Sequence, residues 1–112
     1  MIREPIFETR QNVMGGEGEL KYYHIETEEE LLGHARLYAK IVLPPGTSIG
    51  WHQHVGETEP YYVLAGAGLF KDKDGEHAVK AGDCCIIKPG DFHAIRNDGD
   101  TDLALIALIH KD

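Results

Sequence analysis

The chain has 112 residues, 42% of them hydrophobic and 27% charged, with 11 basic side chains against 19 acidic ones and a net charge of −8. This length predicts one domain over residues 1–112 with a modest core that dimerisation would extend, and the ordinary composition argues against disorder. So acidic a surface repels phosphate backbones and anionic headgroups, which argues against nucleic acid and membranes as partners.

Residues 1–13 mix charges with single apolar side chains and lack the continuous apolar stretch of a signal peptide. No run approaches membrane-spanning length, and the expected compartment is the cytoplasm. Residues 19–25 read as an early strand. At 27–32 a short helix or helical turn is expected, with Thr27 as cap and Glu30 closing a capping box. In 35–43 the odd positions Ala35, Leu37, Ala39, Ile41 and Leu43 are all apolar, which places Arg36 and Lys40 away from the core.

Further short β-rich runs lie at 61–65, 84–87, 92–96 and 103–110, separated by turn signals such as Pro44-Pro45-Gly46, Asp74-Gly75 and Asn97-Asp98-Gly99. Asp74-Gly75 suits a tight hairpin. Residues 103–109 are apolar on both faces, as in a strand covered on both sides, with a second subunit as one cover. Cys84 and Cys85 are neighbours whose side chains point apart on a strand, so they are expected as two small buried hydrophobes and not a disulfide. Short strands with regular turn punctuation predict an all-β sandwich or barrel.

One constellation carries chemistry. His52 and His54 are two apart on an extended segment and project to one side; Glu59 opens the next strand, and His93 arrives from a separate one. Three imidazoles and a carboxylate suit a divalent ion such as manganese, iron, zinc, nickel, cobalt or copper. His24, His34, His77 and His110 belong to no such pattern and are expected outside the site.

Two motifs around these residues resemble those of the cupin superfamily. The first, G-x5-H-x-H-x3,4-E-x6-G, reads Gly46, His52, His54, Glu59 and Gly66; the second, G-x5-P-x-G-x2-H-x3-N, reads Gly82, Lys88, Gly90, His93 and Asn97. Lys88 stands where proline is usual, although Pro89 follows. The resemblance implies a double-stranded β-helix or jelly-roll barrel with motif 1 at 46–66 and motif 2 at 82–97. It also implies one metal per subunit on His52, His54, Glu59 and His93, manganese or iron foremost, and a homodimer. The motif glycines have a physical reason of their own, because barrel corners need unusual φ angles.

Cupins include dioxygenases, oxalate-degrading enzymes, sugar isomerases and non-catalytic binders, so the fold alone does not choose. A complete ligand set favours a metal-dependent enzyme, a dioxygenase or an oxalate-decarboxylase-like lyase, acting on a small organic acid. The alternatives are a non-catalytic small-molecule or sugar binder and a sugar isomerase. If Glu59 and His93 face inward, so should Tyr61, Val63, Ala65 and Ile95, which leaves no arginine or lysine on the inner wall and disfavours a phosphorylated ligand unless Lys88 at the rim supplies charge. Tyr61 and Glu57 are the candidate catalytic residues, Glu57 as a general base at the barrel mouth.

Overall fold

The computed structural model describes all 112 residues, and strands account for most of them. The elements in order are β1 (Ile6–Gln11), a 3-10 turn (Val13–Gly15), β2 (Glu19–Glu26), β3 (Ala35–Leu43), β4 (Ser48–Gln53), β5 (Glu57–Thr58), β6 (Tyr61–Ala65), β7 (Ala67–Asp72), β8 (Gly75–Lys80), β9 (Cys84–Cys85), β10 (Phe92–Arg96) and β11 (Leu103–Lys111). Seven strands form one sheet in the order β1-β2-β3-β11-β6-β9, with β5 on the end of β11; four form the other in the order β4-β10-β7-β8. All pairings are antiparallel. The fold is the all-β jelly roll that the motifs implied.

Alternation builds the core. On β3 every odd residue from Ala35 to Leu43 is buried and every even one half-buried. On β11 the buried set is Leu103, Leu105, Ala107 and Ile109. These meet Leu20 and Tyr22 of β2 and Ile49, Phe70, Val79 and Ile95 of the facing sheet in one core. Removing such apolar surface from water contributes roughly 2 kcal/mol for each large aliphatic side chain. The other face of β11, with Ala104, Ile106 and Leu108, is half-buried within this chain.

Several local expectations are narrowed or corrected. Residues 27–32 form the helical turn and not a longer helix, with the Leu31 amide donating to the Thr27 carbonyl (3.1 Å). The capping box is made, since the Thr27 amide donates to Glu30 Oε1 (2.9 Å) and the Glu30 amide to Thr27 Oγ1 (3.3 Å). Leu32 and Gly33, at φ 56° and 81°, then end the segment before a second helical turn forms. The strand expected over 84–87 shrinks to Cys84–Cys85. Both cysteines are free and Cys85 is buried, but Cys84 is exposed, because its side chain points out of the sheet. The β7–β8 hairpin closes at Asp72 and Gly75 around Lys73-Asp74, one residue earlier than expected.

The motif glycines Gly46, Gly66, Gly82 and Gly90 all have positive φ, at 81°, 80°, 94° and 90°. At Gly66 space is short as well, since a Cβ would run into the Asp102 carbonyl. Asn97, buried, donates from Nδ2 to the Leu43 and Thr101 carbonyls (2.8 and 2.7 Å) and accepts from the Gly99 amide, which clamps the loop leading into β11.

Candidate metal centre

His52 is the penultimate residue of β4 and lies opposite His93 of β10, its cross-strand partner. His52 is three positions on from Ile49, yet both face the interior, which strict alternation forbids. The register resolves this: Ile95 pairs with Ile49 and His93 with His52, so β4 carries one extra residue and bulges there. The bulge shifts the phase of β4 and aims His52 inward. Its Nδ1 then donates to the Gly50 carbonyl within the bulge (2.6 Å). His54 follows in the extended segment beyond β4, and Glu59 arrives just ahead of β6 from the other sheet. His54, Glu59 and His93 are buried, and His52 is half-buried.

The ligand atoms converge. His52 Nε2 lies 3.0 Å from His54 Nε2, His54 Nε2 3.1 Å from His93 Nε2, and His93 Nε2 3.2 Å from His52 Nε2. Glu59 Oε1 is 3.0 Å from His54 Nε2 and 3.1 Å from His93 Nε2. Ring nitrogens about 2.1 Å from an octahedral ion would sit about 3.0 Å apart, against about 3.4 Å around a tetrahedral one, so the spacing fits six-coordination better.

Tautomers sharpen the test. His54 Nδ1–H donates to Glu57 Oε1 (2.7 Å) and His52 Nδ1–H to Gly50, so both Nε2 atoms face each other with lone pairs. A cation between them resolves that repulsion, and the cluster could hold a metal ion. The electrostatics favour the ligand forms of His52 and Glu59, whereas His54 is drawn toward the proton that a bound cation would displace. Burial depresses the His52 imidazole, which favours the neutral ligand form. Burial also pulls His54 down, but the Glu59 and Glu57 carboxylates outweigh it and raise it overall. Burial pushes Glu59 up, and the bonds from His54 and His93 more than reverse that.

Glu57 sits beside the cluster but is not free. Its two oxygens accept from Arg36 Nε and Nη2 at 2.8 and 2.6 Å, and Oε1 also meets His54. The Arg36 guanidinium above all holds its carboxyl down to about 2. Tyr61 stacks on the His93 ring, centroids 5.2 Å apart and planes 18° from parallel. Its hydroxyl is buried without a partner, as is His93 Nδ1.

A cavity of about 120 Å³ opens beside the cluster, lined by His52, His54, Glu59, Tyr61, Tyr22 and aliphatic side chains. Arg10 and Arg36 line it too, which overturns the expectation of a wall without cations. Bulges are one reason that the expectation failed. On β3 alternation holds and Arg36 keeps the half-buried phase, but it is the extra residue where Ile109 and His110 of β11 pair with Leu37 and Ala35, and its long side chain reaches the mouth from there. Likewise Leu105 pairs with Val63 and Ala104 with Ala65, which turns Ala65 outward to solvent while Tyr61, Val63 and Ile95 stay inside. Arg10, Val13 and Met14 come from the N-terminal segment, to which no site was assigned from the sequence; nothing in their spacing signals the cavity, because β1 reaches it only by pairing with β2. Lys88 does not line the cavity. His24 pairs with Glu8 and His77 with Asp72, and neither they nor His34 or His110 join the cluster.

The family model for the cupin domain matches residues 39–109, which contain the four ligands. The chain is a cupin. An oxalate-binding protein of Thermotoga maritima is 45% identical over 98 residues, 88% of this cupin and 81% of that protein. The crystal structure of a predicted oxalate decarboxylase from Thermotoga maritima superposes with a TM-score of 0.93 at 41% identity, covering 100% of this cupin and 99% of that chain. A cupin 2 conserved barrel domain protein from Salinispora arenicola shares the fold at 20% identity, with a TM-score of 0.77 over 99% of this cupin and 89% of that chain.

Proposed function

We propose that this cupin binds one divalent transition metal through His52, His54, Glu59 and His93, and takes a small carboxylic acid of the oxalate type beside it. The observation that carries the reading is the convergence of the four potential ligand atoms of His52, His54, Glu59 and His93, all within 4.8 Å of one another at the edge of a small cavity. A cavity near 150 Å³ accommodates a benzene-sized guest. At about 120 Å³ this one suits a few heavy atoms, as in oxalate, and disfavours a sugar or a phosphorylated sugar. The names of the two Thermotoga relatives support the same ligand class.

The spacing and the mixed nitrogen–oxygen set favour a six-coordinate ion over tetrahedral zinc, and we take manganese or iron as that ion. When bound, such an ion supplies Lewis-acid polarisation of a carboxylate and access to redox chemistry, which serves a decarboxylase or a dioxygenase. The protein side is then concrete. In this reading Glu57, with both its oxygens bonded, positions His54 in preference to acting as a general base, and Tyr61 is the candidate catalytic residue, its hydroxyl without a partner in the chain and available to donate to a ligand oxygen. Ile41, Ile49 and Ile109 keep the inner wall dry.

A non-catalytic binder is the second reading, favoured by the scarcity of uncommitted acids and bases: of the lining carboxylates other than Glu59 there is only Glu28, which is exposed at the mouth. The assembly we infer is a homodimer, joined through the outer sheet face where Val42, Ile106 and the exposed Tyr62 and Leu64 lie together.

Elemental mass spectrometry of the purified protein, with His52→Ala as control, tests the metal site. Manganese or iron near one per chain, lost in the variant, supports the proposal, and oxalate turnover with or without oxygen consumption then separates enzyme from binder. No metal after reconstitution would overturn it.

A further inference from the structure

The two arginines of the cavity are committed very differently. Arg36 is forked onto both oxygens of Glu57. Arg10 makes one contact, from Nη2 to Glu8 Oε2 at 3.0 Å, and shares that oxygen with His24. Both partners are more than two-fifths exposed (42% and 44%), so this pair holds the guanidinium only weakly. Tyr22 does more to place it: Arg10 Cζ lies 4.3 Å from the centre of the Tyr22 ring, and Tyr22 is itself locked in the core at 2% exposure. With its Cζ over the Tyr22 ring, the guanidinium spends one N–H on Glu8 and keeps further donors at its edge.

The surroundings of that edge are also defined. Tyr61 offers a buried, unpartnered hydroxyl to the same cavity. Arg36 and Glu57 neutralise one another, and Glu28 is the remaining exposed charge at the mouth. In a chain of net charge −8, the uncommitted donor edge at this cavity belongs to an arginine.

We propose that Arg10 reads the second acidic group of the ligand, which makes the preferred ligand a short dicarboxylate and not a monoacid. An acid held by one carboxylate at the His52, His54, Glu59 and His93 cluster directs its other carboxylate to the mouth. There it takes the fork of Arg10, exchanging places with Glu8. A planar guanidinium matches a carboxylate with two parallel hydrogen bonds, which an ammonium does not reproduce. A ligand lacking the second charge leaves that fork unmatched, so the site discriminates against it. The inference rests on the small-acid reading above and adds the residue that sets its specificity.

The test is calorimetric titration of manganese-loaded protein with oxalate and malonate and with their monoamides, oxamate and malonamate, which keep size and lose one charge. The wild type is expected to prefer each diacid to its amide by about tenfold or more, from the added charge-assisted bonds. Arg10→Gln should abolish that preference while metal content and melting temperature stay unchanged, since every residue of β1 is exposed. Arg10→Lys should keep only part of it. A preference that survives in Arg10→Gln, or an equal loss for diacid and amide, would overturn the assignment to Arg10. Metal at one per chain with no carboxylate binding in the wild type would instead overturn the small-acid reading itself.

Discussion

His54 owes its orientation to a chain of three side chains: Arg36 grips Glu57, and Glu57 accepts the Nδ1 proton of His54. Carboxylates behind metal-binding histidines fix the tautomer and raise ligand basicity, and losing one typically costs ten- to a hundredfold in metal affinity. Glu57→Gln should therefore weaken manganese binding by about tenfold or more in a competition titration, with the melting temperature of the metal-free protein little changed; undiminished affinity would show that Glu57 does not support the site. Tyr61→Phe separates two roles of the buried hydroxyl. With no partner in the empty cavity, its removal should leave metal-free stability unchanged or raise it by up to about 1 kcal/mol, read by thermal denaturation. If the hydroxyl meets the ligand, oxalate affinity falls in the same variant. The four residues that cluster were legible from the chain because metal chemistry restricts residue types and the two motifs space them. The roles of Glu57 and Arg36 were not, because a carboxylate two residues from a ligand says nothing about which cation faces it.

Strand β4 shows how an element can depart from its own pattern. Its bulge admits an extra residue between Ile49 and His52, and Gly50 within it packs backbone to backbone against the 3-10 turn. A Cβ at Gly50 would run into the Met14 carbonyl. Gly50→Ala should cost roughly 1–3 kcal/mol in denaturant unfolding and also reduce metal affinity, since the carbonyl that orients His52 would move. The turn at 27–32 offers a second test. Glu30, bonded first by Arg3 and then by Thr27, has its carboxyl lowered from 4.5 to about 2. A carboxyl lowered on folding contributes stability in full above its unfolded value, and that contribution is lost as pH falls through the folded one. The difference in melting temperature between wild type and Glu30→Gln should accordingly hold at neutral pH, shrink below about pH 4.5 and vanish near pH 2. A difference independent of pH would rule out the ionised carboxylate as its source. The strands of the large sheet were readable from alternation, whereas the bulges were not, because a bulge answers to the neighbouring strand and leaves no mark in the period of its own.

For the molecule as a whole, a metal that binds only the folded chain stabilises it by mass action, by about 2.7 kcal/mol at a hundredfold excess over Kd. Thermal unfolding should therefore rise by several degrees with saturating manganese and fall back on chelation, and His93→Ala should abolish the shift. The outer face of the large sheet gives the matching prediction for assembly. Ile106→Lys places a second cation beside Lys40 and against Tyr62, and sedimentation should then report a monomer in place of the dimer proposed for the wild type. A wild type that sediments as a monomer would remove that interface.

The linear chain by itself determined the all-β class, the inward set of each regular strand, the turn glycines and the four residues that cluster as a candidate metal site. Those follow from local rules: side-chain alternation, the φ freedom of glycine, and the few residue types that bind a metal. Tertiary structure alone decided which cations reach the cavity and which carboxylate is free. Arg36 reaches the mouth from the bulge where β3 meets β11, and Arg10 enters because β1 pairs with β2 and lays it on Tyr22. Pairing between segments distant in sequence is a property of the packed whole, and long flexible side chains take their direction from it.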